Sequence, residues 1–217
     1  MIQADVPSPI DLKNMEDAKA WEQAAMQRPF RKDFFSAIFT EIGAYQERGL
    51  HILELGSGPG FLAEHILSQV QGVNYTLLDF SAAMHELASH RLSNLTGNNI
   101  EYLQRSFKEY DWIKGVEQVD VVATNQAVHE LRHKRYALGF FRQVRQLIKS
   151  GGVLLFCDHY FGDDGMSNDQ LYMSRIEQRQ ALELADYSVS EILIKGGRAL
   201  YRALPNHQLH ATSYAGA

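Results

Sequence analysis

Residues 52–60, which read ILELGSGPG, limit the folds open to this chain more than any other segment does. A short apolar run passes into glycines at alternate positions, and residues 61–70 then have the apolar spacing of a helix. Glycine adopts the positive φ angles that a sharp reversal of the chain requires. The segment therefore predicts a buried strand, a tight turn and a helix in immediate succession.

The rest of the chain repeats this alternation of strand and helix. Apolar runs predict strands at residues 51–55, 75–78, 100–103, 119–124 and 153–157. Helical spacing predicts helices at residues 15–27, 34–42, 61–70, 81–92 and 136–149, the last one ended by Gly151 and Gly152. Strands that are apolar on both faces and alternate with helices predict a parallel sheet covered on both sides.

The C-terminal part departs from this rhythm. Ser174 and Glu177 predict a capping box for a helix that reaches about Ala185. Two strand-like runs follow at residues 189–194 and 199–204, with glycines between them, which predicts a hairpin. The sequence thus predicts an α/β fold with a Rossmann-like, doubly wound sheet of seven strands. The sheet is mostly parallel and has an antiparallel C-terminal hairpin strand.

The spacing of the glycines separates this turn from the turn that binds a dinucleotide. The dinucleotide fingerprint needs a third glycine three places after the second, and Phe61 occupies that place. Pro59 also removes one N–H that a pyrophosphate would use. Asp79 ends the next strand, where a carboxylate accepts hydrogen bonds from ribose hydroxyls, or alternatively caps a helix. The pattern favours a nucleoside ligand without a pyrophosphate.

These features resemble the class I S-adenosylmethionine-dependent methyltransferases. The resemblance covers roughly residues 30–204 and includes the stretches ELGSGPG, LLDFS, DVVATNQAVHEL and LIKSGGVLLF. It implies a methyltransferase domain over residues 30–204. Residues 1–29 are then a loose lead-in and a helix that could serve as an active-site lid, and residues 205–217 a flexible tail.

The resemblance also implies S-adenosylmethionine as cofactor and assigns its contacts. Glu54 would order the turn and reach the amino group of the cofactor, and Asp79 would hold the ribose. Many members of the family have an acid after the third strand, where this chain has Ser106 and Phe107, so Phe107 would stack on the adenine instead. The full implied set is Glu54, Gly56, Ser57, Gly58, Asp79, Phe80, Met84, Ser106, Phe107, Asn125 and Gln126.

Methyl transfer from a sulfonium is an in-line displacement that mainly requires the reacting atoms to be held in line. A general base is needed only if the nucleophile must lose a proton early. His129, which follows the fourth predicted strand, is the candidate base, and local packing is the alternative. His159, Tyr160, Tyr172 and Arg175 are candidate acceptor contacts, with loop packing as the alternative for the first two.

A competing pattern occupies residues 129–133, which read HELRH and match the zinc-protease motif. That motif requires a helix with both histidines on one face and a third ligand downstream. Here the segment is predicted to be a loop that leaves a strand, and no later residue stands at a known ligand spacing. A zinc hydrolase stays an alternative that leaves the glycine turn unexplained, and no metal site is predicted.

Composition limits the partners. The chain has 21 basic and 26 acidic residues, and this balance disfavours nucleic-acid binding. Cys157 is the single cysteine, no apolar run reaches the length of a membrane span, and the N-terminus reads as neither a signal nor an anchor. We therefore expect a cytoplasmic enzyme that methylates a small molecule and binds neither nucleic acid nor membrane. Its oligomeric state is not readable from the sequence. Intramolecular displacement on the cofactor, or a binding module without activity, are the other hypotheses.

Overall fold

The computed structural model describes residues 4–45 and 49–206. Within them the strands are β1 (His51–Leu55), β2 (Asn74–Asp79), β3 (Asn99–Gln104), β4 (Val119–Asn125), β5 (Ile148–His159), β6 (Tyr187–Lys195) and β7 (Arg198–Pro205). The helices are α1 (Met15–Met26), α2 (Arg31–Ile42), α3 (Phe61–Leu67), α4 (Ala82–Leu92), α5 (Ala137–Gln146) and α6 (Arg175–Leu184). No helix in this part of the chain is long and apolar enough to cross a membrane.

The strands form one seven-stranded sheet in the order β3-β2-β1-β4-β5-β7-β6. The pairs among β1 to β5 are parallel, and β7 runs antiparallel to both β5 and β6. These findings confirm the fold class that the sequence predicts. The strand order reverses between β1 and β4, and ligands of open α/β sheets bind at such a reversal.

Successive residues of the buried strands point to opposite faces of the sheet, and each face has its own apolar core. Ile52 and Leu155 pack with residues of α2, α3 and α4 on one face. Leu53 and Phe156 pack with residues of α5 and α6 on the other. Because helices cover both faces, most of the sheet surface is dry and only its edges remain for a ligand.

The predicted junction between α5 and β5 is wrong by several residues. The helix ends at Gln146, and β5 already begins at Ile148, which pairs with Val119. Gly152 therefore lies inside β5, at a shift in register, and a Cβ added to it would stand 2.6 Å from the carbonyl oxygen of Asp120. Gly152 thus permits a close approach of two strands, and Gly151 before it has a positive φ of 80°; neither residue stops a helix.

The predicted capping box and hairpin are confirmed. Ser174 and Glu177 exchange the two capping hydrogen bonds at the start of α6. Gly196 and Gly197 form the turn between β6 and β7, both with positive φ. Of the predicted flexible tail, Pro205 ends β7 and the Asn206 N–H donates to Asp186, so these residues belong to the sheet; residues 207–217 lie outside the described residues.

The expected loose lead-in is instead tied to the domain. We call residues 4–14 the strap. The Arg132 guanidinium donates to the carbonyl oxygens of Val6 and Pro7, at 2.9 and 2.6 Å. The Ser81 hydroxyl donates to the carbonyl of Leu12 at 2.5 Å. The strap was missed because its partners lie about 70 to 126 residues away along the chain.

Candidate active site

A cavity of about 1080 Å³ lies where the carboxyl ends of β1, β2, β4 and β5 meet. The strap and α1 form its outer wall, through residues that include Ile10, Leu12 and Trp21. The sequence-predicted site residues that line this cavity are Glu54, Gly56, Ser57, Gly58, Asp79, Phe80, Met84, Ser106, Phe107, Asn125, Gln126, His129, His159 and Tyr172. Apart from Tyr172, these residues lie at or just after the carboxyl ends of five strands, β1 to β5.

The glycine turn forms the floor of the cavity. Gly56, Gly58 and Gly60 have φ angles of 68°, 54° and 78°, which explains the alternating glycines. A Cβ at Gly56 would stand 2.4 Å from the Cβ of Ala127, so a side chain there would displace the loop after β4. A Cβ at Gly58 would meet nothing closer than Trp21, at 4.0 Å, so that position leaves open space for a ligand.

The N–H groups of the turn are already used inside the protein. Those of Gly56 and Ser57 both donate to the carbonyl oxygen of Leu78, at 2.8 and 3.1 Å. The Gly58 N–H donates to Oδ2 of Asp79 at 2.8 Å. A pyrophosphate needs such N–H groups free. The geometry therefore agrees with the expectation that the ligand has no pyrophosphate.

Two buried carboxyl groups border the turn. Glu54 accepts a hydrogen bond from the Tyr75 hydroxyl at 2.8 Å, and burial raises its pKa to about 8 despite that bond. Asp79 also accepts from the Ser81 N–H at 2.9 Å, and burial raises its pKa to about 6 against the effect of its backbone hydrogen bonds. A bound cation would stabilise the ionised form of either group.

Several buried polar atoms at the cavity have no partner among the described residues. They are Oγ of Ser57, Oδ1 of Asn125 and both amide atoms of Gln126. Gln126 also has a left-handed backbone, with φ of 58°, and its N–H donates to the carbonyl of Cys157. Buried polar groups are rarely left unsatisfied, so these atoms fit a polar ligand that completes their hydrogen bonds.

His129 is held by an aspartate that the sequence reasoning missed. Nδ1 of His129 lies 2.7 Å from Oδ1 of Asp158, whose Oδ2 accepts the His129 N–H at 2.8 Å. Burial lowers the pKa of His129, but the attraction of the Asp158 carboxylate outweighs it, so the pKa is raised. The same pairing keeps the pKa of Asp158 low although burial opposes it. The signal was present in the sequence, since Asp158 ends a buried strand beside His159.

Two aromatic side chains accompany His129. The ring centroid of His159 lies 5.8 Å from that of His129, and the ring centroid of Tyr172 lies 5.4 Å from it. Burial is the main reason that the pKa of His159 falls to about 4, so this ring is neutral near pH 7. His129 therefore carries the titratable proton of the trio, and the other two rings shape the space around it.

Tyr160 and Arg175, both predicted to contact the acceptor, do not line the cavity. Tyr160 is 2% exposed in the core, and its hydroxyl donates to Asp164. Arg175 begins α6 at the surface and forms an ion pair with Glu191 at 3.0 Å. His159, the last residue of β5, lines the cavity, whereas the side chain of the next residue, Tyr160, lies in the core. Arg175 is too far along the chain for its position to follow from the end of β5.

The HELRH segment does not form the helix that the zinc motif requires. Residues Val128–Leu131 are a short 3-10 helix, and Arg132 breaks it with φ of 66°. His133 then caps the next turn by accepting from the Arg135 N–H. Because the two histidines do not share a helix face, they cannot act as the paired ligands of that motif.

Comparisons with known proteins extend this geometry. A family described as a methyltransferase domain matches residues 53–154. A malonyl-[acyl-carrier protein] O-methyltransferase of Brevibacillus brevis is 23% identical over 93% of this chain and 77% of its own length. The DhpI–SAH complex has a TM-score of 0.67 and 22% identity over 90% of this chain and 97% of that one. The CurJ carbon methyltransferase has a TM-score of 0.70 and 16% identity over 87% of this chain, which covers 58% of that chain.

A doubly wound sheet of this order is typical of proteins that bind a nucleoside-type cofactor. The N–H groups of its glycine turn are already bonded, so the turn does not offer them to a phosphate. The family match over residues 53–154, together with these relatives, supports assignment of the chain to the class I S-adenosylmethionine-dependent methyltransferases, with S-adenosylmethionine as its cofactor. The family, the fold and the cofactor predicted from the sequence are confirmed.

Proposed function

We propose that this enzyme transfers the methyl group to a small-molecule acceptor and that His129 removes the acceptor proton. One observation carries the proposal: His129, which Asp158 holds by a hydrogen bond, lines the same cavity as the glycine turn. A base and a cofactor floor within one enclosed space are what transfer to a protonated nucleophile requires. The name of the relative, an O-methyltransferase, supports an oxygen nucleophile. The proposed role of His129 requires that this oxygen belong to a hydroxyl group, which loses a proton on methylation.

The buried groups around the turn are assigned to the cofactor. Glu54 receives its amino group, and Asp79 receives the ribose hydroxyls on the lone pairs that its two backbone hydrogen bonds leave free. Asn125 and Gln126 complete their hydrogen bonds at the methionine end. Phe80, Met84, Ser106 and Phe107, together with the glycine turn of Gly56, Ser57 and Gly58, enclose the rest of the cofactor.

When bound, S-adenosylmethionine supplies an electrophilic methyl group and leaves as a neutral thioether. The protein contributes position and proton transfer. Asp158 accepts the Nδ1 hydrogen of His129, which leaves Nε2, 3.4 Å from Oε1 of Glu130, as the basic atom at the cavity. His159 and Tyr172 confine the acceptor beside that atom, and the strap with α1 excludes water as a lid. The enclosed volume supports an acceptor of small-molecule size.

Calorimetry with S-adenosylhomocysteine tests the cofactor assignments. We expect the wild-type protein to bind it, and Asp79→Ala to weaken binding by roughly 1.5–3 kcal/mol, the range for a hydrogen bond to a charged group. Asp120→Ala is the matched control, since Asp120 pairs with Lys149 outside the cavity. Equal affinity of the wild type and Asp79→Ala, with both folded, would reject the ribose role.

Turnover tests the acceptor reaction. We expect S-adenosylhomocysteine to be formed only when an acceptor is added. We also expect the activity of His129→Ala to be about 100-fold or more below that of the wild type at saturating cofactor. Breakdown of S-adenosylmethionine at the same rate without any acceptor would instead support intramolecular displacement on the cofactor. Full activity of His129→Ala would show that this histidine only packs and does not act as a base.

A further inference from the structure

Five arginines line the cavity, and three of them come from the outer elements of the domain. Arg28 follows α1, Arg31 begins α2, and Arg198 begins β7. In the register of the sheet, Arg198 pairs with His159 at the end of β5. This places Arg198 beside His159, and the charge of Arg28 is also close enough to lower the pKa of that histidine. We call the three residues the arginine wall.

Arg31 is the most unusual member of the arginine wall. Arg31 is only 9% exposed, and its Nε has no hydrogen-bond partner among the described residues. Its guanidinium lies 5.7 Å from the ring centroid of Trp21 and 5.0 Å from that of Phe61. Aromatic faces attract a cation but do not neutralise it, and a buried cation without an anion costs several kcal/mol.

The other two arginines also lack a carboxylate partner within the described residues. Arg198 is 4% exposed and donates to the carbonyl oxygens of Gly196 and Pro29. Arg28 lies over the ring of Trp21, at 5.3 Å. The three positive charges repel one another. An anion placed between them would lower both this repulsion and the free-energy cost of burying the charges.

Three carboxyl groups at the cavity have other partners among the described residues. Glu54 accepts from Tyr75, and Asp79 accepts two backbone N–H groups. Glu130 pairs with Arg132 and His129. Since no described carboxylate forms an ion pair with the arginine wall, we infer that its anion comes from a ligand.

We propose that the arginine wall binds a carboxylate and that the methyl acceptor is a small carboxylate anion. The arginines hold its carboxylate, and a second, protonated group of the same molecule accepts the methyl group and loses its proton to His129. This inference rests on the proposed function, because it concerns the second substrate of the same site. Arginine suits this role since its planar guanidinium matches the two oxygens of a carboxylate. The carboxylate has two sources, the acceptor and the methionine part of the cofactor, and the acceptor is the source that we assign.

Benzoate and benzamide, with S-adenosylhomocysteine already bound, form a matched pair of probes for the acceptor. The bound cofactor product fills its own carboxylate position, so any further carboxylate must occupy the acceptor side. We expect about 50 mM benzoate to raise the melting temperature of this complex by about 2 °C or more, and benzamide to raise it by much less. Arg28→Gln and Arg31→Gln should remove the difference, whereas Arg142→Gln, at the exposed surface of α5, should keep it.

A second measurement separates the two sources. We compare the affinities of S-adenosylhomocysteine and of its decarboxylated analogue for each variant by calorimetry. Equal melting temperatures with benzoate and benzamide would overturn the proposal that the acceptor is a carboxylate. In that case, weaker binding of S-adenosylhomocysteine but not of its decarboxylated analogue to Arg31→Gln would assign the arginine wall to the cofactor. Absence of S-adenosylhomocysteine binding to the wild type would instead overturn the proposed function itself. Arg28→Gln keeps the test decisive if Arg31→Gln does not fold, because Arg28 is exposed.

Discussion

Glu54 shows at the scale of one residue how a binding site opposes the stability of the fold. It is 3% exposed, and burial raises its pKa to about 8 from an ordinary value of 4.5. Between these two pH values the folded protein holds a proton that the unfolded chain releases. The free energy of unfolding of the ligand-free protein therefore falls as the pH rises through this window.

Glu54→Gln should remove this pH dependence. At pH 8 we expect the ligand-free variant to be more stable than the wild type by about 1–2 kcal/mol, measured by urea unfolding, with little difference at pH 5. The same variant should bind S-adenosylhomocysteine about 10-fold more weakly, because the amino group of the ligand loses an anionic partner. Parallel stability curves for the two proteins across this pH range would contradict the account.

We propose that Asp158 acts through His129 and does not contact the acceptor itself. Its carboxylate raises the pKa of His129, and the base must be unprotonated to work. Asp158→Asn should therefore lower that pKa and move the acidic limb of the kcat/KM profile to lower pH. We also expect kcat to fall by about 10-fold or more, since the imidazole loses its fixed tautomer.

Glu130 provides a control for this prediction. Its Oε1 lies 3.4 Å from Nε2 of His129, so Glu130→Gln should also shift the limb to lower pH, but without disturbing the Nδ1 hydrogen bond. Its kcat at the plateau should stay close to that of the wild type. A profile for Asp158→Asn that keeps its wild-type acidic limb would show that Asp158 only stabilises the fold.

At the scale of elements, several contacts hold the strap, and one arginine with an unusual backbone supplies three of them. Arg132 has φ of 66°, and besides donating to the strap it accepts the Val6 N–H on its own carbonyl, at 2.9 Å. Arg132→Gly keeps the backbone conformation, because glycine tolerates positive φ, and removes only the side chain. It is therefore the cleanest way to release the strap.

We expect Arg132→Gly to loosen the strap without unfolding the sheet. Amide hydrogen exchange at Val6 and in the first turns of α1 should become faster, while exchange in β1 and β4 stays slow. The KM for S-adenosylmethionine should rise, since Leu12 and Trp21 would no longer be held at the cavity. Unchanged exchange at Val6 would mean that other contacts hold the strap.

The elements also show which parts of the fold the sequence could predict. The glycine turn, the Ser174 capping box and the hairpin around Gly196 are local signals, and each lies where the sequence placed it. The start of β5 was missed because pairing of Ile148 with Val119 is a contact between distant residues. The local spacing predicted that the nearby glycines end a helix. In the fold, pairing with β4 makes these residues part of a strand.

The same division applies to the site. Residues at strand ends were predictable, because parallel strands bring their carboxyl ends to one edge. Trp21, Arg31 and Arg198 were not, because their place at the cavity depends on how α1, α2 and the hairpin fold back over the sheet. Tyr160 was assigned to the cavity from its position after β5 alone, and its side chain points into the core instead.

At the scale of the whole molecule, the cavity joins parts of the chain that would otherwise meet only through the core. The strap, α1, the four central strand ends and the start of β7 all contribute to its wall. A ligand that contacts them together binds the folded state and not the unfolded chain. It therefore stabilises the whole domain by mass action.

S-adenosylhomocysteine at about 100 times its dissociation constant should raise the free energy of unfolding by about 2.7 kcal/mol. For a domain of this size we expect the melting temperature to rise by about 5–10 °C, in a single transition measured by calorimetry. NADH should give no comparable shift, since the N–H groups of the glycine turn are bonded to Leu78 and Asp79. An equal shift with NADH would mean that the turn opens to accept a pyrophosphate, which would require β2 to give up those hydrogen bonds.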